Sequence, residues 1–358
     1  MRDALSGWEA SDIDTVPFGC SYEKFAFFLK KKLKCTAVKF KDNVRLSVNG
    51  LIIDVSAPRG ENIEEDLALR DFTINNLAYN SSGELIGDRS DLDRGILRRV
   101  YDRAFDDDPV RIIRGFRFLA QHGLSLEEST LAMMTEKAEL IGDTASERIF
   151  EELRKLFYGD NAPEALRGML AGGLMGELVS EVSKDDVETA CAAFELADRA
   201  ERFDYVSAAL FGSQRNGKDI MQGLSYPVRS MKRAVMLAER AKALLKLRED
   251  GLDVAKLRRF VYNNRRETAG ILNICFSMNG FDETLSSELK NAEEDIKPEL
   301  ADSFGGEELM KLGVERGPLF GEILQDVKEA LASGELEGRS KAEGYIRKEY
   351  GSRIDETS

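Results

Sequence analysis

Apolar residues keep two different periods along this chain, and the change from one to the other near residue 104 limits the fold more than any other feature. Before that point short runs alternate as strands do, at residues 11–17, 36–40, 45–48 and 51–55, with residues 74–79 a further strand candidate. Alternation of period two sends successive side chains to opposite faces of a sheet. Asn49-Gly50 separates the third and fourth runs. That pair suits a two-residue type I′ turn, in which both central residues need positive φ, so the two runs should form a hairpin. Residues 22–33 carry a helical pattern between the strands. Beyond Asp106 the apolar residues recur at helical spacing, as in Val110, Ile113 and Phe116, almost to the end. The expected class is α+β, with a head of mixed β-sheet and helices followed by an all-α remainder. Gly and Pro near residues 159–163, 280 and 305–306 give soft boundaries within the helices, and the last eight residues are expected to fray.

Composition narrows the chemistry. With 358 residues, 42% of them hydrophobic, the chain can bury the cores of two or more domains. No apolar run is long enough for a membrane span and no basic-then-apolar leader opens the sequence, so the expected location is cytoplasmic, with no membrane partner. His122 is the single histidine, which excludes any site built on two imidazoles. The four cysteines, Cys20, Cys35, Cys191 and Cys275, are scattered without a CxxC pair and fit buried thiols better than disulfides or zinc ligands. Aspartate is left to carry the chemistry, and oxygen ligands of that kind favour Mg2+ over softer metals. The formal charge is −14, yet residues 215–266 hold fourteen Lys and Arg against five Asp and Glu. A basic block in an acidic chain is either an electrostatic footprint for phosphates or a solvated helical face.

Asp12 and Asp14 lie two apart on a predicted strand, which puts both carboxylates on one face. Two carboxylates aimed at one spot repel unless a cation lies between them, as in magnesium sites for phosphoryl or nucleotidyl transfer. Asp54 interrupts an apolar strand predicted to run beside the first and would complete a cluster. Asp-x-Asp is also common in plain turns, so the spacing alone leaves both readings open.

The surrounding motifs resemble those of the class II tRNA nucleotidyltransferase and bacterial poly(A) polymerase family, within the polymerase β superfamily. Arg2-Asp3-Ala4-Leu5 with Gly7, leading to Asp12-Ile13-Asp14, resembles the second half of the family's first motif. Glu65-Asp66-Leu67 through Arg70-Asp71-Phe72-Thr73-Ile74-Asn75-Asn76-Leu77-Ala78 is similar to the Arg-Asp-Phe-Thr-Ile-Asn-Ala-Leu motif, with Asn76 in place of Ala. Asp88, Asp91-Leu92 and Leu97-Arg98 resemble a connector. Asp107-Asp108-Pro109-Val110-Arg111-Ile112-Ile113-Arg114 with Arg117-Phe118 resembles the neck motif, and Ser146-Glu147-Arg148-Ile149 with Glu151-Glu152-Leu153 the helix after it. Arg316-Gly317-Pro318-Leu319-Phe320-Gly321 resembles the C-terminal segment.

The resemblance implies a nucleotidyltransferase head over residues 1–104, a base-recognising neck over 105–160, an RNA-binding helical body over 161–270 and a tRNA-binding helical tail over 271–358. It implies that Asp12 and Asp14 hold Mg2+, that Asp54 is the third catalytic acid, and that Arg2 lies near the incoming phosphates. Arg70, Asp71 and Asn75 fall in the motif associated with the nucleotide's sugar and phosphates. Asp108 and Arg111, three apart on one face of a helix start, would hydrogen-bond the base edge, so that protein replaces a nucleic-acid template. Asp108 before Pro109 also suits an ordinary helix cap. Arg114 continues the same face, and Arg117 would reach a phosphate or pair with an acid of the neck. The implied activity is template-independent addition of CMP and AMP from CTP and ATP to the tRNA 3′ end. CC-only addition and poly(A) synthesis are the close alternatives. The chain starts at Met1-Arg2-Asp3, so the family's first strand and Gly-Gly loop are missing from this sequence. The alternative outside enzymes is therefore a truncated, catalytically poor RNA-binding paralogue. Nothing in the sequence sets an oligomeric state.

Overall fold

A computed structural model describes residues 1–8, 12–179 and 182–355. The chain divides into two compact units, Met1–Val187 with Gly223–Ser225, and Glu188–Gln222 with Tyr226–Ser358. Among the described residues no helix is long and apolar enough to cross a membrane.

The first unit opens with helix α1 (Arg2–Ser6), then β1 (Asp12–Thr15), α2 (Tyr22–Leu33), β2 (Thr36–Lys39), β3 (Asn43–Val48), β4 (Leu51–Ser56) and α3 (Ile63–Ala68). Ser11, assigned to the first strand from the sequence, lies outside the described residues. The four strands form one mixed sheet in the order β1-β4-β3-β2, with β1 parallel to β4 and the other pairs antiparallel. The turn behaves as its residues require: Asn49 and Gly50 both take positive φ, 49° and 84°, and Val48 pairs with Leu51. Helix α2 begins where the Ser21 side chain accepts from the Lys24 amide and stops at Lys34 in the left-handed region. Its inner side, with Ala26 at the centre, covers Val44, Leu46, Ile53 and Val55 of the sheet.

Residues 74–79, expected as a strand, are a correction. Thr73–Asn75 is a short 3-10 turn and only Ala78–Tyr79 is extended, against Leu85–Ile86. The Asn75 and Asn76 amides bond back to the Phe72 and Thr73 carbonyls. The chain thus coils around the fully buried Ile74 and brings Asn75 back over Asp71. Beyond residue 104 the described residues form helices and their connections except for Ser125–Leu126, which pairs in parallel with Ile96–Leu97.

The helix Val110–His122 is the spine of this unit. Nine of its residues are buried, Arg111 and Arg117 among them. It packs on the helices Ser146–Phe157 and Ala162–Ala171. At Gly159 a Cβ would come within 2.6 Å of the Ala120 backbone, so only glycine lets the chain pass there.

The second unit is helical. Its longest helix, Val228–Glu249, packs on Thr268–Asn279, and a second cluster gathers Phe304, Leu309, Ile323, Val327, Leu331 and Ile346. The final helix, Arg339–Asp355, includes the first five of the last eight residues, which were expected to fray, with Ile354 packed against that cluster; the other three lie outside the described residues. The basic block lies on these helices, and acids of the same unit meet several of its charges. Arg233 pairs with Glu201, Asp204 and Glu267, and Arg259 with Asp326 and Glu335. Of the cysteines, Cys191 and Cys275 are buried, whereas Cys20 is exposed and Cys35 half-buried; all four are free thiols.

Truncating Leu46, which is fully buried between α2 and the sheet, is expected to cost about 2–5 kcal/mol as L46A. Val38, exposed on β2, is expected to change stability by no more than about 0.5 kcal/mol as V38A. Urea unfolding of the two variants checks the assignment of the head's core.

Candidate active site

The sheet builds the first half of the site. Parallel pairing of β1 with β4 sets Asp14 directly opposite Asp54 and Asp12 opposite Ile52. Asp12, Asp14 and Asp54 therefore share one face of two adjacent strands. The Asp14 carboxyl is pushed above the usual carboxylate range, first by desolvation and then by the Asp12 charge; Asp54 adds to the rise and Arg70 opposes it. Asp54 is buried, and Arg45 on β3 donates to both its oxygens, Nε to Oδ1 at 2.9 Å and Nη2 to Oδ2 at 2.7 Å. Among the described residues no three carboxylate, thiol or imidazole groups are grouped so as to hold a metal ion. The arrangement thus offers two free carboxylates, Asp12 and Asp14, and a third engaged by a guanidinium. Two hard oxygen donors beside a substrate polyphosphate are a ligand set that Mg2+ accepts, because it keeps water or phosphate on its remaining positions.

The second half is a chain of charges joining the 3-10 turn to the Val110–His122 helix. Asp71 is buried; its Oδ1 accepts from the Phe72 amide at 2.9 Å and from Asn75 Nδ2 at 2.8 Å. Its Oδ2 receives Arg114 Nε at 2.9 Å and Arg114 Nη2 at 2.8 Å. Desolvation alone would raise the Asp71 pKa, but the Arg114 charge and the bonds from Asn75 and Phe72 outweigh it and hold the carboxyl at about 2. Asn75 Oδ1 in turn accepts from Arg2 Nη1 at 2.8 Å. On the far side Arg114 reaches Glu152 at 3.3 Å and Arg117 approaches the same carboxylate at 2.5 Å. Burial brings the Arg117 pKa down to about 10.

Arg2 is also held by rings, its guanidinium 4.7 Å from the Phe118 centroid and 5.9 Å from that of Trp8. Trp8 stacks on His122 with centroids 3.8 Å apart and 13° between planes. Desolvation, aided by the Arg2 charge, depresses the His122 pKa from 6.5 to about 4.

Several expected site residues are committed differently from what the sequence suggested. Both oxygens of Asp71 are taken inside the protein, so it positions Arg114 and Asn75 and has no oxygen spare for a ribose hydroxyl. Arg70 spends its fork on the buried Asp66, at 2.8 and 3.1 Å. Asp108 does not cap the helix: the N-cap is Pro109, without a side-chain bond. The Asp108 carboxylate instead takes both terminal nitrogens of Arg148, at 3.0 and 2.8 Å. Arg111 stands 4.0 Å from Asp108 and donates to Tyr101 Oη, Ala104 O and Leu69 O at 2.9, 3.3 and 3.0 Å. The pair is side by side, as its spacing requires, with Arg111 buried and braced against backbone. Arg117 pairs with an acid of the neck, one of its two expected fates.

Sequence reasoning missed Arg45, Arg148 and Glu152 as members of the site. Arg148 and Glu152 lay in a quoted motif without a role. Arg45 was open to inference, because a two-residue turn that pairs Val48 with Leu51 also pairs Arg45 with Asp54.

Residues 123–185 match the family model described as the probable RNA and SrmB-binding site of polymerase A. The CC-adding tRNA nucleotidyltransferase of Halalkalibacterium halodurans is 31% identical over 168 residues, 44% of this chain and 43% of that protein. The match thus spans less than half of that relative's length. The CCA-adding enzyme of Streptococcus pneumoniae strain CGSP14 is 29% identical over 301 residues, 80% of this chain and 72% of that one. Among solved structures, the Thermotoga maritima CCA-adding enzyme complexed with tRNA aligns at TM-score 0.73 and 24% identity, covering 96% of this chain and 88% of that one. The Bacillus stearothermophilus CCA-adding enzyme in complex with CTP aligns at TM-score 0.75 and 22% identity, covering 99% and 92%. At these identities the structural likeness establishes the fold.

Because the folded protein favours neutral His122, the stability this environment contributes is complete above pH 6.5 and is lost as the pH falls toward about 4. Urea unfolding followed by the fluorescence of the single tryptophan is expected to show wild type losing stability over that window faster than H122F. Parallel pH curves for the two proteins would contradict the assignment.

Proposed function

We propose that this chain, which belongs to the class II tRNA nucleotidyltransferase and bacterial poly(A) polymerase family, adds CMP and AMP from CTP and ATP to the tRNA 3′ end. Pyrophosphate leaves, and protein rather than nucleic acid selects the base. The observation that carries the reading is the register that sets Asp14 beside Asp54 with Asp12 on the same face. A polyphosphate and an attacking hydroxyl both need charge compensation where such carboxylates stand.

On this reading Asp12 and Asp14 would hold Mg2+, whose charge would neutralise the triphosphate and make the RNA 3′-hydroxyl a better nucleophile. The chain's own residues do the rest. Arg2, steadied by Asn75 and by the Phe118 and Trp8 rings, presents a guanidinium to the phosphates. Arg111, held by three acceptors, offers its remaining donors beside the Asp108 acceptors as a template for the base edge. Arg148 then doubles as a placeholder on Asp108 until a base takes that acceptor. Asp71 and Glu152 fix Arg114 and Arg117 against the neck. The division into a head to residue 104, a neck to 160, a body to 270 and a tail to 358 belongs to the same proposal, with body and tail gripping tRNA. The unpaired part of the basic block supplies phosphate contacts that give affinity without specifying chemistry. A second reading, CC-only addition, has support in the CC-adding relative.

Incubation with labelled CTP and ATP, and with tRNA transcripts ending before CCA or at CC, tests the proposal. Completion to CCA is expected. A stop after two C residues selects the second reading, and long A tails on unrelated RNA would replace both with poly(A) synthesis. D14A is expected to lower incorporation roughly a thousandfold, the several kcal/mol of charge stabilisation a metal supplies. Its RNA affinity is expected to stay within about twofold of wild type, because affinity for RNA comes mainly from cationic contacts to phosphates and not from carboxylates. Full activity of D14A would overturn the carboxylate assignment.

A further inference from the structure

One cation stands against the carboxylate face without belonging to any motif. Arg45 lies on β3 directly opposite Asp54, and Asp14 lies opposite Asp54 on the other side. The Arg45 fork covers both Asp54 oxygens, at 2.9 and 2.7 Å. Its guanidinium is 6.0 Å from the Phe40 centroid and the side chain is 46% exposed, so it is loosely braced and has solvent to move into. The field of the cluster reaches it: Asp54, Asp12 and Asp14 all stabilise its charged form. Arg70 also acts on Asp14, but its fork is spent on Asp66. Arg45 is thus the guanidinium in bonding contact with the three-carboxylate face. A carboxylate whose two oxygens are both engaged by a guanidinium has lost charge and lone pairs that a hard cation needs.

We propose that Arg45 competes with a divalent cation for Asp54. Paired, it holds the third carboxylate in place, cancels one of three negative charges and keeps the free protein from binding the cation tightly. Displaced toward solvent, it releases Asp54 to join Asp12 and Asp14. Arg45 is a positioning residue that sets the affinity for the cation rather than a group that touches the reacting atoms. The inference rests on the reading of Asp12 and Asp14 as cation ligands.

Mn2+ is the probe, its free concentration followed by electron paramagnetic resonance in titrations of the full chain without nucleotide or RNA. Arg45→Gln is expected to bind Mn2+ roughly five- to tenfold tighter than wild type, because the Asp54 carboxylate no longer has to leave a bidentate guanidinium partner before it can reach the ion. In an Asp54→Asn background the same substitution is expected to change affinity by less than about twofold, because the contested ligand is gone. Circular dichroism establishes that each variant is folded. Equal or weaker binding by Arg45→Gln overturns the proposal, as does a gain that persists undiminished in the Asp54→Asn background. Mn2+ binding by wild type that Asp14→Asn abolishes keeps the metal-site reading even if the Arg45 effect is absent. No Mn2+ binding by wild type or by Arg45→Gln overturns both.

Discussion

The ion pair between buried Asp71 and half-buried Arg114 is the contact on which the rest of the first unit depends. Asp71 sits at the start of the 3-10 turn that follows α3, and Arg114 is in the second turn of the Val110–His122 helix. A carboxylate with so little exposure is tolerated only when both oxygens are satisfied, and here four donors do so. Breaking one member of such a pair leaves an uncompensated buried charge, at a cost of about 3–5 kcal/mol. Asn75 and Arg2 are then set by Asp71, and Glu152 and Arg117 by Arg114. A single network therefore aligns an N-terminal arginine, a head turn and two helices.

The sheet obeys a separate constraint. A two-residue turn at Asn49-Gly50 fixes the register of β3 on β4, and parallel pairing fixes β1 on β4. One position of slip would send the acids to the opposite face, where α2 buries Leu46, Ile53 and Val55. The carboxylates are thus held by the same apolar contacts that stabilise the head. The two halves meet electrostatically at Asp14, whose charge is felt by Arg70 and by the amino terminus beside Arg2.

Much of this was legible in the chain. The hairpin, the limits of α2 and the placement of Asp12, Asp14 and Asp54 follow from alternation and from one turn dipeptide, because strand geometry leaves few choices. The 3-10 turn was not, since Ile74-Asn75-Asn76-Leu77 has the apolar content of a strand and only the tertiary bonds of Asp71 curl it. Nor were the partners of the neck. Arg148 reaches Asp108 across 40 positions and Arg114 reaches Asp71 across 43, separations that no local pattern encodes. The reading of Asp108 as a cap failed for that reason: a local rule lost to a bidentate partner from another helix.

On the proposed reading the carboxylate face and the neck network act as one nucleotide site. Titration of the chain with CTP and Mg2+, followed by NMR of the arginine Nε–Hε groups, tests this most directly. The signals of Arg2, Arg111 and Arg114 are expected to move together with a single Kd, that of Arg148 to lose its paired environment, and those of Arg233 and Arg259 in the second unit to stay fixed. Shifts confined to the second unit, or an Arg148 signal unchanged at saturation, would contradict it.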